Sequence, residues 1–318
     1  MTGGDLLLAA ALDAVAGDPR WLPHPVRGMG FFIAWFEHRI RSLCRSDQAL
    51  QIAGVCLALG LPAAVYALGT FVIAQAAAIS PLVGQLVGIG LAYTTLAGRD
   101  LLDHVQEVSR ELERGNLAGA RKAVAMIVGR DSDALSEPEV VRATVETIAE
   151  STSDGMIAPL VYLSLGGAPL ALAYKAINTL DSMIGHRDAR YEYVGWASAK
   201  LDDAMNWVPA RLTGGFIALA AGLATGQWHR VHDSWYILHR DGDKHPSPNS
   251  GKPEAAMAGA LGVQLGGRNY YDGVPHDGEV IGDGPAELTA EHIDQASRIM
   301  VATCCLGLFF ALLSLWVA

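Results

Sequence analysis

The chain has 318 residues, is 51% hydrophobic and 18% charged, and carries a net charge of −10 at pH 7. Soluble domains carry nearer about a quarter charged residues, so this balance, with a mean hydropathy of +0.25, leans toward a membrane protein. The acidic excess argues against nucleic acid as a partner, since phosphate binding needs a concentrated basic surface.

Met1 to Ala16 lacks a basic segment before its apolar run and carries Asp5 and Asp13, so it does not read as a cleaved signal peptide. Asp13, Gly17-Asp18-Pro19 and His24-Pro25-Val26 follow closely. Asp-Pro and His-Pro are turn-forming pairs, and their plainest reading is a structured loop. Residues 52–79 are uncharged and long enough to cross a bilayer as a helix. Residues 82–97 are also uncharged, and Ser80-Pro81 breaks the two into a transmembrane hairpin over 52–97. Arg39, Arg41 and Arg45 precede that hairpin and Arg99, Arg110 and Arg114 follow it, while its turn has no Lys or Arg. The positive-inside rule therefore places 17–51 and 98–155 in the cytoplasm.

Residues 98–155 read as cytoplasmic helices. Leu101, Leu102, Val105 and Val108 form one apolar face, Gly115-Asn116 is a stop, and a second helix is expected from Leu117 to Val128. Pro138 suits the start of a third helix with Ser136 as its cap. Residues 156–176 are apolar but interrupted by Gly166-Gly167-Ala168-Pro169, so they form either a kinked span or a re-entrant pair. Residues 208–226 share that ambiguity, and 299–318 is a terminal span. The stretch 227–298, rich in Gly, Pro, His and Asp, reads as loops with little regular structure. The expected fold is all-α: a polytopic integral membrane protein with cytoplasmic helical and loop segments and broken or re-entrant helices. It is expected to form a single membrane-embedded domain over 1–318, with the site region at 156–226. Four cysteines without CxxC or Cys/His spacing suggest neither zinc nor a redox motif.

Candidate chemistry concentrates between Arg142 and Arg211, where acids and amides sit beside lipid-grade sequence. Each must be hydrated, paired or metal-bound, which makes such a cluster expensive. Arg142, Glu146 and Glu150 are four apart on one helical face and lead into Ser151-Thr152-Ser153-Asp154-Gly155. They can hold magnesium or orient an amine; the bland alternative is a solvated face of i,i+4 pairs. Asn178 and Asp181 share a face beside Lys175, and line a polar cavity or cap a helix at the headgroups. Asp202 and Asn206 share another face, with Asp203 pointing elsewhere. Two acids and an amide resemble a hard-cation site, and Arg211 offers a planar fork for phosphate or carboxylate. The alternative is a helix end at the membrane surface with an interfacial Trp207. His245-Pro246-Ser247-Pro248-Asn249-Ser250-Gly251 is a proline-fixed loop that presents hydroxyls and an amide at low entropic cost. There is no GxxxxGK[ST], HExxH or GxSxG.

These motifs together resemble the cobinamide synthase, or adenosylcobinamide-phosphate synthase, family of cobalamin-biosynthesis membrane proteins. The matching text is Asp13 with GDP (17–19) and HPV (24–26), then GRDxxxLxEPEVxRATVETxAExxSDGxxAPLxY over 129–162. It continues with AYKAINTLDSMIGH (173–186), GWASAKLDDxxNWxPARLT (195–213) and HPSPNSGxPE (245–254). The resemblance implies ATP-dependent amide formation between adenosylcobyric acid and (R)-1-amino-2-propanol or its O-phosphate, giving adenosylcobinamide or its phosphate. It implies Mg²⁺, with ATP as co-substrate, at the cytoplasmic face of a multi-pass inner-membrane protein, alongside other corrinoid-pathway membrane enzymes. On that expectation Glu146, Glu150, Asp154, Asp181, Asp202 and Asp203 supply magnesium ligands and a base for the amine, with the metal at Asp181, Asp202 and Asp203. Lys175 joins the catalytic set, and Arg130, Lys175 and Arg211 stabilise phosphate oxygens. Asp18, His24, Asn178, Asn206, His245, Ser247, Asn249 and Ser250 bind substrate. A transporter or sensory accessory protein is the rival class, because broken apolar segments with buried polar residues are also what a transporter shows. A soluble helical enzyme fails on the uncharged hairpin.

Overall fold

A computed structural model of the chain describes residues 1–19, 21–186, 188–271 and 273–317. Thirteen α-helices and one hairpin account for its regular structure among those residues. They are α1 (Gly3–Ala16), α2 (Pro25–Leu43), α3 (Asp47–Ile79), α4 (Pro81–Tyr93), α5 (Gly98–Glu113), α6 (Leu117–Val124) and α7 (Glu137–Thr152). After a π-helical turn (Ser153–Ile157) come α8 (Ala158–Ile184), α9 (Trp196–Met205), α10 (Trp207–Thr225), α11 (His229–Asp241) and α12 (Gly251–Leu261). Strands β1 (Leu265–Tyr271) and β2 (Val274–Ile281) then pair antiparallel, and α13 (Ala290–Val317) closes the chain. Five helical runs are long and apolar enough to cross a membrane: Asp47–Ile79, Pro81–Glu113, Glu137–Ile184, Trp207–Thr225 and Ala290–Val317. The protein is thus all-α and polytopic, as its composition predicts.

Local chemistry sets the boundaries. Ser80 ends α3 in an extended conformation, and its hydroxyl accepts the Val83 N–H at 3.2 Å to start α4, with Pro81 in the first turn. Pro in that turn loses nothing, because its missing N–H would have had no helical partner. Ser136 and Glu139 open α7, Glu139 accepting both the Ser136 N–H and hydroxyl at 2.7 Å. Inside α8 the expected break falls at Gly166 and Gly167, where Gly167 has φ 66° and ψ −165°. A side chain there would be strained, so glycine carries the kink ahead of Pro169.

Three expectations need correction. The helix expected from Leu117 stops at Val124 rather than Val128, and α4 stops at Tyr93 rather than residue 97. The stretch 227–298 is mostly regular, not loops: it holds α11, α12, the hairpin and the start of α13. In α12 only Lys252 escapes full burial. A helix buried all round shows no amphipathic period, so its pattern gives no signal.

The chain divides into two compact units. In the first (1–97, 158–206 and 311–318), α8 packs against α2, α3, α4 and α9. Ile33, Leu57, Leu180 and Ile184 make one core cluster there, and Met29, Leu172 and Ala176 another. In the second (98–157 and 207–310), α12 packs against α7, α10 and α11. Val108, Val140, Ile148, Ile217, Met257 and Ile299 belong to one continuous apolar core. Each such side chain contributes roughly 1.5–3 kcal/mol by leaving water.

Candidate functional site

In the second unit, a cavity of about 370 Å³ opens between α7, the loop before α12 and the hairpin. Arg130, Glu146, Glu150, His245, Glu254 and Tyr271 line it. The helical spacing of α7 brings Glu146 and Glu150 to the same side, as expected. Glu146 is buried and fully engaged: one oxygen accepts from Arg130 Nη2 at 2.6 Å, the other from the Gly266 N–H at 2.7 Å. Arg130 also donates through Nη1 to Asn269 Oδ1 at 2.7 Å, while its Nε is buried without a hydrogen-bond partner. Arg142 reaches Asn269 Oδ1 and the Arg268 carbonyl, at 3.0 and 2.9 Å.

Glu150 sits at the exposed rim and accepts from Ser250 Oγ at 3.0 Å. Ser250 belongs to the proline-fixed loop, which organises itself. Ser247 Oγ accepts the N–H groups of Asn249 and Ser250 at 3.3 Å, and His245 Nδ1 accepts the Ser247 N–H at 3.0 Å. Because Nδ1 is an acceptor, a neutral His245 ring carries its proton on Nε2. That atom lies 4.0 Å from Glu254 Oε1. Glu254 is 5% exposed. Burial first, then the charges of Glu146 and Glu150, hold its carboxyl well above the ordinary range. Burial likewise raises the Tyr271 phenol.

The first unit carries a second polar cluster. Asp202 on α9 is buried, and its Oδ2 accepts from Asn206 Nδ2 at 2.9 Å. Asn206 in turn accepts from Tyr174 Oη at 2.9 Å, and the Tyr174 ring stacks on Tyr162 with centroids 4.8 Å apart. Asp202 Oδ1 has no hydrogen-bond partner among the described residues. Burial, followed by the charge of Asp181, pushes the Asp202 carboxyl up to about 7, with Asn178 and Asn206 acting in the opposite direction. Lys175 lies 3.5 Å from Asn178 Oδ1. Asp203 points away and meets Lys200 at 3.6 Å. Among the described residues, no three His, Cys, Asp or Glu side chains are grouped as a metal site.

The fold therefore gathers Arg130, Glu146, Glu150, His245 and Ser250 in one place, and Asp181, Asp202, Asn178 and Asn206 in another. Asp18 and His24 pair at 3.3 Å in a separate N-terminal turn. Neither they, Asp154 in the π-helical turn, nor Arg211 line the cavity. Arg211 instead stacks 4.0 Å above the Trp207 ring and donates to the Trp207 carbonyl at 2.8 Å. Glu254, Asn269 and Tyr271 also line the cavity and are not among the residues expected there. The Asp272-Gly273 step, the ordinary signal for a tight hairpin, was the clue to the last two.

Fold and site together define a multi-pass helical membrane protein with a small acid-rich cavity. The CobD/Cbib protein family model matches residues 6–300, and the chain belongs to that family. It is 48% identical over 309 residues to the cobalamin biosynthesis protein CobD of Geobacter metallireducens, covering 97% of this chain and 95% of the relative. It is 43% identical over 307 residues to the cobalamin biosynthesis protein CbiB of Salmonella arizonae, covering 96% and 95%. The cobalamin biosynthesis protein CobD of Citrobacter koseri is also 43% identical, over the same shares. No solved structure matches significantly. A role in cobalamin biosynthesis follows from the family.

Proposed function

We propose that the protein joins a propionate carboxyl of adenosylcobyric acid to (R)-1-amino-2-propanol or its O-phosphate, consuming ATP. The product is adenosylcobinamide or its phosphate. The observation that carries this reading is the cavity of about 370 Å³, in which Glu146, Glu150 and Glu254 surround Arg130. Its walls from α7, the segment before it and the proline-fixed loop belong to motifs that carry the family resemblance, and the hairpin completes it. Its acid excess suits a cationic amine, and its size suits a small co-substrate rather than a corrin macrocycle.

The chemistry divides into two steps. Transfer of the ATP γ-phosphoryl group to the corrinoid carboxylate gives an acyl phosphate and ADP. Attack by the amine then forms the C–N bond and expels phosphate. Arg130 offers its buried, unpartnered Nε–H to a phosphate oxygen. His245, Ser247, Asn249 and Ser250 close over substrate from one self-supporting loop. Magnesium takes one or two carboxylates and otherwise keeps waters and substrate phosphates. Asp202, with an unpartnered oxygen in the field of Asp181, fits that need, and Asp203, turned to Lys200, fits less well. When bound, such an ion supplies positive charge for phosphoryl transfer. We place the reaction on the cytoplasmic side of the inner membrane, where the arginines flanking the first hairpin belong.

The test is an assay on detergent-purified protein supplied with adenosylcobyric acid, Mg-ATP and either amine, read by mass spectrometry of the corrinoid. Adenosylcobinamide or its phosphate is the expected product. Tight corrinoid binding with no new corrinoid would make the protein a carrier or accessory instead.

A further inference from the structure

The second-unit cavity is unusual in how it treats Glu254. A carboxylate placed where burial and two like charges oppose ionisation is expensive, and evolution has easier ways to fill a helix start. Most of its surroundings are already satisfied: Glu146 is consumed by Arg130 and Gly266, and Glu150 is held by Ser250. Among the described residues two buried acids line the cavity, Glu146 and Glu254, and Glu254 is the one these hydrogen bonds leave facing the space, while Glu150, Asp277 and Glu279 are exposed. His245 Nε2, fixed as a donor by the Ser247 N–H on Nδ1, faces the same carboxylate at 4.0 Å.

We propose that this cavity is the amine subsite, and that Glu254 is the base which takes a proton from the substrate ammonium before it attacks. His245 is a positioning residue whose Nε2–H dipole, 4.0 Å from Glu254 Oε1 and beyond hydrogen-bond range, biases that carboxylate. The assignment rests on the reaction proposed above. An ammonium cannot attack an acyl carbon until its nitrogen lone pair is free, and an ordinary solvated carboxylate is too weak a base to free it. Glu254 is raised by burial and by Glu146 and Glu150, with Arg130 opposing, which brings it toward the amine. The proton balance is complete. One N–H bond of the ammonium breaks as Glu254 gains O–H; a second proton leaves with the expelled phosphate as the C–N bond forms.

The decisive experiment is calorimetric titration of the detergent-purified full chain with 1-amino-2-propanol and with its phosphate, alone and with adenosylcobyric acid plus a non-hydrolysable ATP analogue. Neutral 1,2-propanediol is the control. Glu254→Gln should weaken amine binding about tenfold or more, as loss of a charged hydrogen-bond partner does. Glu254→Asp should recover part of it, and propanediol should not bind. In turnover, E254Q should lose kcat and the alkaline dependence of kcat, whereas His245→Gln should shift that dependence with a smaller loss. Circular dichroism checks that each variant is folded. Amine affinity unchanged in E254Q, or lost in Asp202→Asn instead, overturns the assignment while leaving the overall reaction standing. Amine binding that depends on Glu254 without any corrinoid product would leave the subsite standing and sink the reaction. No amine binding under any of the three conditions overturns the subsite.

Discussion

Arg130 Nη2 and Glu146 Oε2 lie 2.6 Å apart, with side chains only 9% and 11% exposed. Since the other Glu146 oxygen takes the Gly266 N–H, one carboxylate ties the segment before α7, α7 itself and the start of β1 together. Glu146 therefore acts as a strut for the cavity. Replacing it with alanine strands a buried guanidinium, which costs about 3–5 kcal/mol. Glu146→Ala should lower the melting temperature and speed hydrogen exchange across residues 265–281. Unchanged exchange in the hairpin would show that the strut does not hold it.

A second strut is Asp241, whose side chain is fully buried. It accepts from Arg240 at 2.7 Å, Lys244 at 2.8 Å and the Gly282 N–H at 2.8 Å, linking α11 to the far end of β2. The Arg240 hydrogen bond leads in holding this carboxyl well below the ordinary range, with Lys244 and Gly282 adding to it against burial. A depressed folded value gives stability that is present above the ordinary carboxylate range and is lost as pH falls through the folded value. Asp241→Asn should thus melt lower at pH 7, by an amount equivalent to about 1–3 kcal/mol, the cost of weakening charged hydrogen bonds at a buried acceptor. Its disadvantage should shrink in strong acid. A melting curve series from pH 7 downward in detergent checks both points.

These struts mark the limit of what the sequence shows. Glu146 and Glu150 are legible because a helix repeats about every 3.6 residues and the spacing of four aligns them. Asp202 and Asn206 are legible for the same reason, and Ser136, Ser80 and Gly166-Gly167 mark helix boundaries by cap and kink chemistry. Glu254 is not, because its meaning lies in partners distant along the chain: Glu146 is more than a hundred residues away; nor is the link of Asp241 to the Gly282 N–H, which lies beyond the reach of any local pattern. The helix carrying Glu254 is buried on nearly all sides and so has no polar face to set its period. The hairpin is short and glycine-rich, and its exposed strand β2 lacks a buried alternation to read.

Asp202 supplies a pH prediction of the opposite sign. Its folded value of about 7 lies above the ordinary 3.8, through burial and then Asp181. Stability from this residue is therefore fully present below about pH 4 and is lost as pH rises through 7. Asp202→Asn should remove that slope and melt higher than the parent at pH 8, by an equivalent of a few kcal/mol (~1.4 per unit). A divalent cation favours the ionised form, so millimolar Mg²⁺ at pH 8 should raise the parent's melting temperature and leave that of D202N in place. Equal Mg²⁺ responses in the two proteins would remove Asp202 from the cation site.

Gly195 tests the geometry of that cluster without altering a charge. It opens α9, which carries Asp202, against the end of α8, which carries Asp181. A Cβ on Gly195 would run into the Ile184 carbonyl oxygen and lie 3.0 Å from that of Tyr191. Both obstacles are backbone, so a rotamer change cannot relieve them and α9 itself must move. Overpacking of this kind costs about 1–3 kcal/mol or more. As α9 lifts, Asp202 gains water and distance from Asp181, and both causes of its raised proton affinity weaken. Gly195→Ala should therefore lower the melting temperature and flatten its pH slope between 4 and 7 in the same protein. A loss of stability with the slope intact would show that the close approach packs the helices without bringing the two aspartates together.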